Sequence, residues 1–570
     1  MVKYQRLGEL LIEKNLITSN QLSEALVRQK ESNFKIGEEL IHSGVVTETQ
    51  VLSALAESMG LPFIELKSVE ISQSIIDKIP ARFVTHYNFM PLNEQNGILN
   101  IAVNDPLDLC IIDEVKLLLK QQIKFFIATS LEISEAIKKY YGVGAKTMAQ
   151  MIDDSGDGSI VANAEDSLSQ VKTAETEDPS VIKFVNQIIQ QAIKERATDV
   201  HIEPYEGRLR LRYRIDGVLY DLSVPPAIHH FQSAIIIRIK IMADLDIAEK
   251  RLPQDGRIKV TVNKENYDLR ISILPTNFGE SVEIRILSRK QIFFSLETLG
   301  LDKHGFHVLN SAISQPYGII LVTGPTGGGK TTTLYSCLNK INSPERKIIT
   351  IEDPIEYQLE GITQIQILPK ISFTFATGLR SMLRHDPDIM MVGEIRDNET
   401  AELAIRTALT GHLVFSTLHT NNAPGAVARL VDMGIEPYLI SSSLSCVVAQ
   451  RLVRLVCPHC KERYYPHNEV IKEFDIHLAK SDNVKFYKGR GCELCKHTGY
   501  LGRTAIFEIL NVTDKIKEMI LDSTPANSIK QEAVNAKMKT LRHSGWEKII
   551  SGVTTPEEVI RVTQEDTVTA

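Results

Sequence analysis

The 570-residue sequence has few aromatic residues, no excess of basic charge and no long hydrophobic run. Aromatic residues make up 6% of the chain, and the formal net charge is −7. Nucleic-acid-binding proteins usually carry a basic surface and base-stacking rings, so this composition argues against nucleic acid as the main partner. No apolar stretch approaches the ~18 residues of a membrane span, and the first residues lack the apolar core of a signal peptide. These absences predict a cytoplasmic protein whose contact with any membrane is peripheral.

Cysteine is also scarce, and four of the seven cysteines stand in two close pairs. The other three are isolated in apolar or helical sequence and are expected to be small buried residues. Two CxxC pairs with 31 residues between them suit a Zn²⁺ ion held by four thiolates, which leaves no open coordination position. A redox function, the alternative, would need only one such pair. We therefore expect a structural zinc element at 457–495 whose ligands are Cys457, Cys460, Cys492 and Cys495.

A glycine-rich segment carries the strongest functional signal. It reads G-x-x-x-x-G-K-T, follows the apolar run 317–323 and precedes the helix-like run 332–338. In this context the glycines turn backbone N–H groups toward phosphates, Lys330 reaches the β- and γ-phosphates, and Thr331 can ligate Mg²⁺. The segment predicts a nucleoside triphosphate site formed by Gly324, Pro325, Thr326, Gly327, Gly328, Gly329, Lys330, Thr331 and Thr332.

Two acidic residues follow apolar, strand-like segments, as the hydrolysis of a triphosphate requires. Glu352 ends the first segment and Glu394 follows the second. Because ligand sites of parallel sheets form at the carboxyl ends of strands, both acids are expected to lie near the phosphate loop. One would orient the attacking water and the other would hold Mg²⁺. The residues themselves leave open which acid does which.

Two histidines and two arginines complete the predicted site. His412 and His419 flank an apolar strand and could sense a γ-phosphate. Arg270 and Arg285 lie between apolar neighbours in strand-like segments, so they are expected on a polar sheet face. There they would suit a γ-phosphate clamp supplied by another domain or subunit, the alternative being ordinary surface arginines.

The sequence pattern divides the chain into four parts. Residues 1–143 begin with two helical copies 29 residues apart, starting at Leu7 and Ile36, and continue as mixed strands and helices. The segment 144–178 is rich in acidic and small residues, which predicts a flexible linker. Residues 179–290 read as a helix followed by strands, and residues 291–570 alternate strands and helices as a parallel α/β sheet does.

Several longer strings resemble the secretion ATPases of type II secretion and type IV pilus assembly. They cover about 180–565 and comprise ATDVHIEP at 197–204, RLPQDGR at 251–257, the phosphate loop, IEDPIEY at 351–357, VGEIRD at 392–397, TGH at 410–412, HTN at 419–421 and the tetracysteine element. The resemblance implies an α/β multidomain protein with a RecA-like P-loop NTPase core at 291–570. A PAS-like α+β domain and an N-terminal MshEN-like domain, helical-repeat and α+β, would precede this core.

The resemblance also implies residue roles and partners. Glu352 would match the presumed general base and Glu394 the Walker B acid, which with Thr331 would hold Mg²⁺, while Arg270 and Arg285 would reach the phosphates. The implied partners are further copies of the chain in a homohexamer, an inner-membrane platform protein and a cytoplasmic adaptor. Length, N-terminal domain and tetracysteine element look most like the ATPases that extend type IV pili. ATPases that drive a type II secretion pseudopilus share the core and are the alternative.

The N-terminal repeat resembles the Arg-Leu-Gly-x-x-Leu repeat by which related ATPases bind cyclic di-GMP. Lys35 stands where the first copy has Arg6, and lysine keeps the charge but loses the planar fork. Cyclic di-GMP binding and docking of a partner therefore both stay open. The candidate ligand-binding residues are Arg6, Leu7, Gly8, Leu11, Lys35, Ile36, Gly37 and Leu40.

The chain departs from the family pattern at two positions, and other functions fit part of the pattern. Gly328 stands where serine is common, which should make the loop more flexible, and Asn422 stands where aspartate is common. A P-loop nucleic-acid translocase would share the acids and arginines, but the basic stripe it needs is not evident. A nucleotide sensor without turnover would not need both acids. An ATP-driven assembly motor is the leading hypothesis.

Overall fold

The computed structural model describes residues 7–32, 35–79, 81–105, 122–142, 147, 179–288, 295–368, 371–472, 474 and 485–563. The chain divides into two compact units, Met1–Ser288 and Arg289–Ala570. The linker predicted at 144–178 lies outside the described residues except for Thr147, which is buried and donates to Gln187 Oε1 at 3.0 Å. Among the described helices, none combines the length and apolarity that crossing a membrane requires.

The first unit begins with the predicted helical repeat. Thr18 and Thr47 each accept a hydrogen bond from the amide three residues later, which caps the second helix of each copy. The apolar faces of the four helices form one small core around Leu11 and Leu40. The helices are α1 Leu7–Glu13, α2 Ser19–Ser32, α3 Ile36–His42 and α4 Glu48–Met59.

A three-stranded sheet with three helices follows the repeat. β1 and β2 are antiparallel, whereas β2 and β3 are parallel, and helices cover the sheet to form a second core. The elements are α5 Gln73–Lys78, α6 Ala81–His86, β1 Phe89–Gln95, β2 Ile98–Val103, β3 Gln122–Ile127 and α7 Ser130–Tyr141.

The last part of the first unit is a six-stranded antiparallel sheet in the order β6-β5-β4-β9-β8-β7. Its elements are α8 Pro179–Lys194, β4 Ala197–Tyr205, β5 Arg208–Ile215, β6 Val218–Asp221, α9 Gln232–Met242, β7 Gln254–Val262, β8 Glu265–Thr276 and β9 Gly279–Ser288. Because strand residues alternate between faces, one face is apolar and packs on α8 and α9. The other face carries the predicted arginines.

The second unit is built on a seven-stranded sheet in the order β12-β11-β13-β14-β10-β15-β18, parallel except for β18. Its elements up to β15 are α10 Lys303–Ile313, β10 Gly318–Thr323, α11 Lys330–Ile341, β11 Ile348–Glu352, β12 Thr363–Gln366, α12 Phe375–Met382, β13 Ile389–Val392, α13 Asn398–Leu409, β14 Leu413–Leu418, α14 Pro424–Asp432, α15 Pro437–Ser443 and β15 Leu444–Val456. Separate apolar cores cover the two faces, which confirms the predicted parallel α/β architecture.

A small two-stranded sheet, strand β18 and five helices complete the described part of the second unit. Trp546, the single tryptophan of the chain, is 1% exposed and packs on Phe474 and on Phe486 of the small sheet, with ring centroids 5.1 and 6.1 Å away. The elements are β16 Lys461–Tyr464, α16 Asn468–Lys472, β17 Phe486–Gly489, β18 Tyr500–Asn511, α17 Asp514–Leu521, α18 Ala526–Asn535, α19 Leu541–Ile550 and α20 Pro556–Val562.

Candidate functional site

The phosphate loop joins β10 to α11 in the arrangement that the sequence predicted. All six residues of β10 are buried, and α11 begins at Lys330. The residue before the helix, Gly329, has φ 85°, a conformation that glycine adopts without steric cost. The first N–H groups of α11 have no acceptor within the helix, so they can bind an anion.

Lys330 is held inside the loop. Its ammonium donates to the carbonyl oxygens of Gly324 and Pro325 at 2.8 and 3.1 Å. Burial lowers the pKa of Lys330 to about 8, and the neighbouring Glu394 carboxylate opposes that shift because it favours the charged form. The electrostatic contact places Glu394 at the loop.

Glu394 follows β13 and contacts an arginine and a histidine. One carboxylate oxygen lies 2.6 Å from Arg396 Nη2, and the other lies 3.5 Å from His419 Nε2. β13 and β14 are neighbouring parallel strands, so Glu394 and His419 leave the sheet at the same edge as the phosphate loop. This edge brings together Lys330, Glu394 and His419.

Glu352 ends β11 on the same edge but is almost fully buried, with 4% of its surface exposed. Oε1 accepts hydrogen bonds from Thr350 Oγ1 at 2.6 Å and from Gln364 Nε2 at 3.1 Å. Oε2 accepts a hydrogen bond from the Tyr335 hydroxyl at 2.5 Å. Burial raises the pKa of Glu352, and these hydrogen bonds hold the rise back.

The two histidines lie at opposite ends of β14. Leu418 pairs with Thr323 beside the phosphate loop, whereas Leu413 pairs with Gly318 at the other end of β10. A strand of six residues is about 20 Å long, so His412 lies at the edge of the sheet away from the loop. Its Nδ1 instead contacts the carbonyl oxygen of Thr407 at 3.1 Å. Within this unit, only His419 of the predicted pair joins the site.

The predicted arginines of the first unit belong to a longer row. Arg257, Arg270, Arg285, Asp199 and Arg214 occupy directly opposed positions on β7, β8, β9, β4 and β5. The buried Asp199 accepts from Arg285 Nε at 3.1 Å and lies 3.4 Å from Arg214 Nε. One polar row therefore contains four guanidinium groups and one carboxylate, a composition that suits an anionic ligand.

The four predicted zinc ligands form one cluster. Their sulfur atoms all lie within 4.8 Å of one another, and three measured separations are 3.7, 3.8 and 3.8 Å. Zinc–sulfur bonds of about 2.3 Å in a tetrahedron place sulfur atoms about 3.8 Å apart. Backbone N–H groups of Gly491 and Cys492 also point at two of the sulfurs, at 3.3 and 3.2 Å. The arrangement fits a metal ion held by four thiolates.

The N-terminal candidate residues are mainly packing positions. A Cβ atom on Gly8 would lie 2.6 Å from Leu22 Cδ1, and one on Gly37 would lie 3.2 Å from Leu7 Cδ2. Leu11 and Leu40, also candidates, are fully buried. Ile36 begins α3, and the exposed Lys35 before it contacts Asp105 at 2.6 Å. Arg6 lies outside the described residues.

The structure adds side chains that sequence reasoning did not identify. Gln450 contacts the phosphate loop at Gly328 and the following helix at Thr333. Tyr335 and Gln364 each donate a hydrogen bond to Glu352. Gln450 interrupts a run of buried apolar residues in β15, and that interruption is a signal that could have found it. The side chains around Glu352 carry no such local signal, because they meet only through the fold.

Comparisons with known proteins agree with this architecture. The Type II/IV secretion system protein family matches residues 174–561, and the MshEN domain family matches residues 59–147. The chain is 42% identical to the type IV pilus assembly ATPase PilB of Myxococcus xanthus, over 98% of this chain and 99% of that one. It is 41% identical to the type II secretion system protein E of Xanthomonas campestris, over 98% of both chains.

A solved structure supports the fold as well. The ATPase DotB of Yersinia pseudotuberculosis aligns with a TM-score of 0.50 at 21% identity, covering 68% of this chain and 94% of that one. Together with the family match over more than half of the sequence, these relatives identify the chain as a member of the type II/IV secretion system ATPase family.

Proposed function

We propose that this ATPase powers the assembly of a type IV pilus. It would act in the cytoplasm as a homohexamer on an inner-membrane platform protein and a cytoplasmic adaptor. The observation that carries the proposal is the near-complete, mutual coverage with the pilus assembly ATPase of M. xanthus. The meeting of Lys330, Glu394 and His419 at one sheet edge supports a site for phosphoryl transfer.

The second candidate load is a type II secretion pseudopilus, because protein E of X. campestris matches the same share of the chain. Deleting the gene distinguishes the two. We expect loss of surface pili with secretion intact, and restoration by the wild-type chain but not by Lys330→Ala. Loss of secretion with pili intact would assign the motor to secretion instead.

In the proposed ATPase cycle, Thr331 and Glu394 would hold Mg²⁺ and Glu352 would be the general base. Mg²⁺ would neutralise the charge that develops on the phosphates. Glu394 is partly exposed at the loop edge, with 15% of its side chain accessible, while burial and three donors keep Glu352 in one position. Nucleotide would bind to residues 324–332, and another domain or subunit would supply Arg270 and Arg285.

The four-cysteine cluster is proposed to hold Zn²⁺. Its sulfur separations match a tetrahedral site, and four thiolates leave no coordination position for a substrate. The ion would therefore stabilise the fold around the hairpin of β16 and β17.

We also propose the finer domain organisation. Residues 1–143, 179–290 and 291–570 would be separate domains, and the linker 144–178 would join the first two. The second domain would be PAS-like and the third RecA-like. Cyclic di-GMP is the proposed regulator of the first domain, which includes most of the MshEN match. Calorimetry on the full chain tests this, with Lys35→Ala expected to weaken binding and Lys14→Ala as the control. Absence of heat at high micromolar ligand would leave partner docking as the function.

A further inference from the structure

Gln450 is a buried polar side chain beside the phosphate loop. β15 runs parallel to β10, and the pairing of Ala449 with Thr323 brings Gln450 next to Gly324. Gln450 is 2% exposed and lies among apolar residues of the strand. A buried amide without partners is costly, so its hydrogen bonds determine its orientation.

Both ends of the Gln450 amide are engaged. Nε2 donates to the carbonyl oxygen of Gly328 at 2.9 Å, and Oε1 accepts from the Thr333 hydroxyl at 2.5 Å. A carbonyl oxygen can only accept, so the nitrogen of the amide must face Gly328. The oxygen then faces Thr333, one turn into α11. The amide thus bridges the loop and the first turn of its helix.

This bridge acts on the most adaptable part of the loop. Gly327, Gly328 and Gly329 follow one another, and a run of three glycines has more backbone freedom than any other sequence of that length. The peptide that joins Gly328 to Gly329 is trans, so its C=O and N–H point in opposite directions. Because Gln450 holds the carbonyl on the β15 side, the N–H of Gly329 points away from β15.

We propose that Gln450 is a positioning residue of the nucleotide site, fixing the 328–329 peptide so that the N–H of Gly329 is ready to bind phosphate. Thr333 orients the amide, and Gly329 is required partly because a Cβ there would lie 2.6 Å from Gln450 Nε2. The inference rests on the proposed nucleotide site. It explains how a loop with glycine at 328 keeps a defined shape.

The test measures ADP binding by calorimetry and thermal unfolding of the nucleotide-free, full-length chain. Gln450→Met keeps the volume but removes both hydrogen bonds, and Thr333→Val removes the orienting hydroxyl. We expect about tenfold weaker ADP binding for Gln450→Met and a smaller loss in the same direction for Thr333→Val. The matched control is Thr407→Val, since Thr407 is also a buried helical threonine but its hydroxyl donates to the carbonyl oxygen of Leu403 in its own helix.

The control should lower the unfolding midpoint while ADP affinity stays at the wild-type value. Wild-type ADP affinity in folded Gln450→Met would overturn the proposal. Equal losses of affinity in Thr407→Val and Thr333→Val would also overturn it, since general loosening would then be the cause. If Gln450→Met does not fold, Thr333→Val against its control decides. Lys330→Ala tests the nucleotide site separately from the positioning role of Gln450. Unchanged ADP affinity in Lys330→Ala would refute the nucleotide site itself.

Discussion

At the scale of single residues, the two acids at the carboxyl edge have opposite surroundings. Glu394 contacts Arg396 and His419 and is partly exposed, whereas Glu352 is buried and enclosed by hydroxyl and amide donors. A buried carboxyl holds its proton to a higher pH, and each hydrogen bond to the carboxylate form works against this. The balance at Glu352 therefore sets the pH above which the proposed base is in its carboxylate form.

Replacing Tyr335 by phenylalanine should shift the pH profile of ATP hydrolysis. Burial raises the pKa of Glu352, and the hydrogen bond from the Tyr335 hydroxyl lowers it because that bond favours the carboxylate form. Loss of the hydroxyl should therefore raise the pKa of Glu352 further. Because only the carboxylate can act as the proposed base, the acid limb of kcat should move to higher pH. Steady-state kinetics between pH 5 and 9 measures the shift.

The control for this change is Tyr213→Phe, which removes another buried hydroxyl, one that donates to the carbonyl of Ile188 at 2.7 Å. It should leave the profile unmoved. An unshifted acid limb in Tyr335→Phe would mean that Glu352 is not the group that titrates.

At the scale of secondary-structure elements, local motifs could be predicted from the sequence, whereas contacts between distant segments could not. The phosphate loop, the strand-end acids and the paired cysteines each follow from a short stretch of sequence. Gln450 and Tyr335 reach the site through sheet order and helix packing, which no single sequence specifies locally. The sequence pattern predicts both His412 and His419 in the site, but they flank one strand, and residues at the two ends of a strand cannot meet at one edge of the sheet.

The arginine row on the six-stranded sheet should be needed for turnover more than for folding. Arg285→Ala is expected to lower kcat on the order of 10³-fold, because a guanidinium that meets transition-state charge contributes that much in other phosphoryl-transfer enzymes. Arg210→Ala is the control, since Arg210 lies on the same sheet but pairs with Asp221 near its edge. Equal activity of the two variants would reduce Arg285 to a surface residue.

The cysteine cluster should be linked to the environment of Trp546. Trp546 packs on Phe486 of β17, a strand that lies between the two cysteine pairs in the sequence. Removing metal with a chelator should loosen the hairpin, shift tryptophan emission to longer wavelength and lower the unfolding midpoint. His459→Ala, which changes an exposed residue inside the first pair, should retain one zinc per chain by elemental analysis. Full zinc content in Cys457→Ser would contradict the assignment.

At the scale of the whole molecule, the single tryptophan lies in the unit that carries the phosphate loop. Tryptophan emission therefore follows the unfolding of that unit. ADP at 100 times its dissociation constant should stabilise it by about 2.7 kcal/mol. The emission-monitored midpoint should rise by about 5 °C, and Lys330→Ala should abolish the rise. An unfolding midpoint of the wild-type chain that does not change with ADP would contradict nucleotide binding in this unit.

The last strands of the second unit indicate a structural role for the four-cysteine cluster. β15 has 13 residues, but its pairing with β10 ends at Ala449. From there to Val456 its only strand partner in the described sheet is β18, and a ribbon of two strands has little stability of its own. Cys457 follows β15 directly, and the second cysteine pair shortly precedes β18. The cluster thus links the ends of β15 and β18. It stabilises the two-stranded ribbon where a third strand would otherwise have supplied backbone hydrogen bonds.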